Sequence, residues 1–284
     1  MLRKNNHTSS LFHYTRRMTA LLSIIKEGFK FSYCKEEFME GICLGIPMIS
    51  FCDIPIGNCI EHVSKYGSYA IGLSKEALIK TGVEPVNYFI SEKNANAAFF
   101  LKEVAAEENK IRKRFEIKRD VAVYQKGEHV STINSPNRQD LDYMLNDFYA
   151  SNNYYKASIS SIGLMKRYSF RNKKGKLQIN YDENEWRIVL PEENIKEGGY
   201  KWYWSKTEYE LWRSKVEDKF VQDCWLTFEV EDINFIIVPK QKDIPTFISK
   251  LAEVKQICRK PLSVRNRQLL YSKVISLEQI KDDF

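Results

Sequence analysis

The decamer Tyr181-Asp182-Glu183-Asn184-Glu185-Trp186-Arg187-Ile188-Val189-Leu190 constrains the fold more than any other stretch, because it interleaves charged and apolar residues. Its apolar, β-branched end is stopped by Pro191 and reads as a strand. Strand side chains alternate between faces, so Trp186, Ile188 and Leu190 fall on one side and Glu183, Glu185 and Arg187 on the other. One face is expected to be core, and the other to carry two carboxylates beside a guanidinium. Such neighbours are common on exposed faces of antiparallel strands, where they do little. On a cleft wall they would supply carboxylates for chemistry, and the candidate site is placed here.

The rest of the chain has enough apolar material to build a core around this strand. Its 284 residues are 43% hydrophobic and 13% aromatic, which excludes a disordered chain and fits one α+β domain. No run is long and apolar enough to cross a bilayer, and His7-Thr8-Ser9-Ser10 interrupts any signal-like start. A cytoplasmic protein that does not enter membranes is expected. The six cysteines, Cys34, Cys43, Cys52, Cys59, Cys224 and Cys258, include no pair at zinc-finger spacing. Reduced, mostly buried thiols and no metal site are expected.

The net charge of +7 is concentrated in two basic clusters. One comprises Lys110, Arg112, Lys113, Arg114, Lys118 and Arg119, the other Lys166, Arg167, Arg171, Lys173, Lys174 and Lys176. Such clusters can hold nucleic-acid phosphates, although solvated helix faces and turns have the same composition.

Apolar runs punctuated by Gly and Pro predict most of the elements. Residues 11–15 suit a strand and Met18 to Glu27 a helix ended by Gly28. Residues 46–55 suit a buried strand bracketed by prolines, and residues 58–66 a short helix carrying His62 and Tyr66. A strand at 68–73, a helix capped by Ser74 and a strand at 85–90 follow. Residues 92–158, rich in helix formers, are expected to form a helical insertion within the sheet. Further on, a helix is predicted over 206–221, strands at 225–230 and 233–239, a helix at 244–257, and a last strand at 269–276.

Several chemistries are excluded. There is no His-x-x-x-His pair, phosphate-binding glycine loop or Gly-x-Ser-x-Gly elbow, which removes zincin, P-loop, Rossmann and α/β-hydrolase readings. What remains is Phe12-His13-Tyr14-Thr15, Ile49-Ser50-Phe51-Cys52-Asp53-Ile54-Pro55, His62 to Lys75, Pro85-Val86-Asn87-Tyr88, and Asn184-Glu185-Trp186-Arg187-Ile188-Val189. In order and content these segments resemble the AbiGi family of abortive phage-infection proteins, over roughly residues 11 to 190.

The resemblance implies a relative of the ADP-ribosyltransferase fold: a split, mostly antiparallel sheet with flanking helices and a cleft for NAD. It further implies that His13, with Tyr14 and Thr15 beside it, binds the adenine-side ribose. Tyr66 or Tyr69 would stack on nicotinamide, and Glu185, or Glu183, would serve as the catalytic carboxylate. Loss of nicotinamide leaves oxocarbenium character on the ribose, which a carboxylate stabilises. Family members are also described as antitoxins acting with a nucleotidyltransferase-like toxin. Two functions are therefore expected as alternatives: an ADP-ribosyltransferase-like defence enzyme using NAD, or a non-catalytic protein that binds a toxin or a phage-derived protein. A third and weaker expectation is nucleic-acid binding through the basic clusters.

Overall fold

A computed structural model describes residues 8–39, 42–58, 60–90, 161–171, 175–190, 206–217 and 220–283. Strand β1 (Ser10–Thr15) leads through helix α1 (Met18–Glu27) to β2 (Phe29–Met39) and β3 (Ile42–Cys52). Next come α2 (Ile60–Tyr66), β4 (Tyr69–Ser74), α3 (Lys75–Lys80), β5 (Glu84–Pro85) and β6 (Asn87–Phe89). After residues 91–160 follow β7 (Met165–Arg167), β8 (Ser169–Arg171), β9 (Leu177–Ile179), a 3-10 turn at Tyr181–Glu183 and β10 (Glu185–Val189). The C-terminal part comprises α4 (Lys206–Lys215), β11 (Phe220–Leu226), β12 (Ile233–Val238), α5 (Ile244–Ala252), β13 (Gln256–Ile257), β14 (Lys260–Pro261), α6 (Val264–Ser272), β15 (Val274–Ser276) and α7 (Leu277–Asp283).

The architecture is α+β, built on a nine-stranded, mostly antiparallel sheet whose main path runs β11-β2-β3-β1-β4-β12-β15. Among the described residues, only β12 and β15 pair in parallel within it. Strand β3 is its centre because Leu44, Ile46, Met48, Ile49 and Phe51 are buried irrespective of which face they point to. Alternation distributes neighbouring strands over two apolar layers. Leu11, Ile71 and Leu73 join the layer that receives Leu21 and Ile25 of α1, Phe247 and Leu251 of α5 and Leu270 of α6. Phe12, Tyr14, Ala70 and Ile237 join the opposite layer with Leu277 and Ile280 of α7.

The sheet forks along β3. Met48 pairs with Ser32 of β2 on one edge and with Val189 of β10 on the other. Four residues later Cys52 still pairs with β10, at Glu185, but its other neighbour is now Phe12 of β1. Strands β1 and β2 thus share one edge of β3 in succession, and a gap opens where one leaves and the other arrives.

Several sequence expectations need correction. The decamer is not a single strand: residues 181–183 form a 3-10 turn, Asn184 takes a left-handed conformation (φ 40°), and pairing begins at Glu185. Asparagine tolerates that conformation, which makes it the pivot. Of the strand expected at 269–276 only 274–276 is extended; 269–272 belong to the helix of residues 264–272, whose start the Ser263 hydroxyl caps at Asn266 N. Strand β11 begins at Phe220, inside the stretch expected to be helix, because Val221 is buried and the strand pairs with β2. The proposed insertion at 92–158 lies outside the described residues. Among those described, no helix is long and apolar enough to cross a membrane, and no group of His, Cys, Asp and Glu is arranged to hold a metal.

Gly67 sets the corner between α2 and β4. Its φ is 121°, and a Cβ there would stand 2.3 Å from the Thr15 carbonyl oxygen. Gly67→Ala is expected to lower stability by at least ~1 kcal/mol, read as a lower urea midpoint with unchanged slope. An unchanged midpoint would show that this corner does not press on β1.

Candidate functional site

The alternation at β10 is present and its apolar face packs on the core, but its charged face is buried more deeply still. Arg187 has 0% exposure and Glu185 8%, whereas Trp186 and Ile188 are only half-buried. Strand β10 lies between β3 and β5, so its charged side is turned inward at the fork. Glu183 belongs to the 3-10 turn rather than to the strand, and it too is buried.

A buried guanidinium keeps its charge and has to be neutralised in place. Arg187 Nε donates to Glu185 Oε1 at 2.6 Å, and Nη2 donates to Glu185 Oε2 at 3.1 Å and to Glu36 Oε1 of β2 at 2.7 Å. Its Nη1 donates to the Gly163 carbonyl at 3.1 Å. Lys166 of β7 then joins the two late carboxylates, with Nζ 2.6 Å from Glu185 Oε2 and 3.0 Å from Glu183 Oε2. Glu183 Oε1 accepts from the Tyr66 hydroxyl at 2.8 Å and from Lys65 Nζ at 3.3 Å, tying α2 to the turn. The Glu185 backbone N–H donates to the Tyr88 hydroxyl at 2.9 Å. Three carboxylates thus face three cations.

The protonation states follow from these contacts. Burial opposes ionisation of Glu185, but Arg187 and Lys166 outweigh it and hold its carboxyl down, to about 2. Burial is likewise overcome at Glu183, where Lys166 and Tyr66 lower the carboxyl. At Glu36 burial prevails and the carboxyl is pushed up despite Arg187 and Lys166. Burial and the Glu183 charge raise the Tyr66 phenol, which stays protonated as a donor, and burial raises Tyr88 to about 12. Glu183 and Glu185 are therefore anions at neutral pH: they can stabilise positive charge or accept hydrogen bonds, but they cannot act as general acids.

A cavity of about 250 Å³ opens in the fork beside this network. His13, Tyr14, Tyr66, Glu183, Glu185 and Lys166 all line it. Thr15 and Tyr69 do not: they are cross-strand partners at the end of β1, away from the cavity. The His13 ring lies edge-on to Phe29 and Phe51, and its Nδ1 donates to the Ser50 carbonyl at 2.9 Å, which fixes a proton on that nitrogen. Through Tyr66, Lys166 and Glu183 the cavity joins an open groove of about 980 Å³. Sequence reasoning missed Lys166, Lys65 and Glu36. Lys166 was hidden inside a basic run that reads as solvated surface, and nothing in the local pattern marks Glu36 as the partner of an arginine 151 positions away.

Comparisons with known proteins agree on one family. Residues 24–239 match the model of the family described as "Putative abortive phage resistance protein AbiGi, antitoxin". The chain is also similar to "Abortive phage resistance protein AbiGi" of Lactococcus lactis subsp. cremoris, 25% identical over 258 residues, which cover 84% of this chain and 89% of that one. No solved structure matches the chain significantly.

The depressed carboxyl of Glu185 makes a pH-dependent prediction. Its folded-state value lies below the ordinary 4.5, so its stabilisation is complete above that pH and is lost as pH falls toward about 2. Glu185→Gln leaves Arg187 and Lys166 undercompensated and is expected to cost about 3 kcal/mol at neutral pH. In urea titrations across the acid range, the gap between wild type and variant should close below pH 4.5. A gap that is absent at neutral pH, or constant into strong acid, would contradict the network.

Proposed function

The chain belongs to the AbiGi family of abortive phage-resistance proteins, and from that premise we propose that it acts in anti-phage defence as an antitoxin, restraining a toxin by binding it without group transfer of its own. One observation carries this reading: Glu185, the carboxylate best placed for chemistry, has both oxygens engaged by Arg187 and Lys166. To meet a ribose cation it would have to release partners inside a nearly dry site, which costs several kcal/mol. The network spans β2, β7, β10, the 3-10 turn and α2, which suits a rigid scaffold for a binding surface.

A second reading rests on a different observation. His13, Tyr66, Glu183 and Glu185 line a single cavity, and these are the residues that the resemblance to ADP-ribosyltransferases implies for NAD. In that reading Tyr66 offers its ring to the nicotinamide and the carboxylates stabilise the oxocarbenium.

Expression and titration separate the two. As an antitoxin, the chain is harmless when expressed alone, co-purifies with a toxin encoded beside it and restores growth, and a folded Glu185→Gln variant retains all three properties. Calorimetric titration with NAD then gives no heat at millimolar ligand. NAD binding or nicotinamide release that disappears in Glu185→Gln would overturn the antitoxin reading in favour of the second.

A further inference from the structure

The groove that adjoins the cavity has a charge pattern of its own. Within the network, Glu36, Glu183 and Glu185 offset Lys65, Lys166 and Arg187, and at the rim Lys35 pairs with Glu210 at 3.3 Å. Of the described side chains lining the groove, this leaves the acid Glu37 against the two guanidiniums of Arg167 and Arg171. Arg167 is half-buried on β7 and Arg171 exposed on β8, where its Nη1 donates to the Gly175 carbonyl at 3.0 Å. Phe170, next to Arg171 on β8, also lines the groove and is 39% exposed.

We propose that groove and cavity together bind single-stranded nucleic acid, with phosphates on Arg167 and Arg171, one base against Phe170 and a neighbouring base turned into the cavity beside His13 and Tyr66. Guanidinium forks match phosphate oxygens, and an exposed aromatic ring gives a base a stacking surface regardless of sequence. A duplex keeps its bases stacked inward, whereas a single strand can splay one into a ring-lined slot. An acidic peptide would also be attracted to the two arginines. Its carboxylates, however, would meet the anions Glu183 and Glu185 in the cavity, where an uncharged base would not. This inference does not depend on toxin binding.

The test is fluorescence anisotropy of the full chain with labelled uridine and thymidine oligomers over a salt series, alongside an abasic oligomer of equal length and polyglutamate. Binding is expected to weaken with salt. The Arg167→Gln/Arg171→Gln variant should flatten the log–log salt slope by about 1.4, from two phosphate contacts. Phe170→Ala should weaken binding about tenfold at an unchanged slope, and the abasic oligomer should bind about tenfold more weakly than its parent. Phe170 is at the surface, so its variant tests the proposal even if the double variant fails to fold. Absence of oligomer binding at low salt, equal affinity for the abasic strand, an unchanged slope in the folded arginine variant, or preference for polyglutamate would each overturn the proposal. Toxin co-purification is measured separately, so failure of either proposal leaves the other standing.

Discussion

Arg187 is a guanidinium without solvent, and much of the site's geometry is a response to it. Its charge cannot be discharged at any accessible pH, so carboxylates have to come to it: Glu185 from its own strand and Glu36 from β2. Glu185 is itself nearly dry and draws in Lys166, which also holds Glu183, and Glu183 in turn engages Tyr66 and Lys65. A buried ion network of this kind adds little net stability, since desolvation offsets most of its attraction. Its effect is on specificity. A one-residue slip of β10 would turn Arg187 to the opposite face and strand Glu36, so the network pins the register of β10 against β3 and thereby the shape of the fork.

Apolar strands were legible because their signal is local. Residues of β1, β3, β4 and β12 appear as short hydrophobic runs, and α1 appears with its terminating Gly28, whose φ is 91°. The alternation of β10 was equally visible, but not how deeply its charged face is buried. Sequence reports which residues share a face, whereas burial depends on what packs against that face, here Lys166 of β7 and Glu36 of β2, the latter 151 positions away. Lys166 illustrates the same limit: its neighbours Arg167 and Arg171 face the groove while its own amino group turns inward. In the C-terminal part, Leu269-Leu270-Tyr271 suited a strand by composition, and a cap at Ser263 with burial of Leu270 decided for helix.

Of the proposed site residues, His13, Tyr14, Tyr66, Glu183 and Glu185 meet at one cavity, whereas Thr15 and Tyr69 do not. These residues come from three separate stretches of the chain, at 13–14, 66 and 183–185, and the fork brings them together. The contacts then favour recognition, because the carboxylates that would have to move are the ones most firmly held. A wall of mutually engaged side chains beside a groove carrying two arginines is suited to binding, as the antitoxin proposal supposes.

Whether Glu185 is first of all a structural counter-ion can be read from a double-mutant cycle between Arg187 and Glu185. Unfolding free energies are measured for wild type, Arg187→Met, Glu185→Gln and the combined variant. Strong coupling is expected, with the combined variant less destabilised than the sum of the two single variants by at least ~1 kcal/mol. Additivity within ~0.5 kcal/mol would mean that the two side chains do not depend on each other, and the claim would fail.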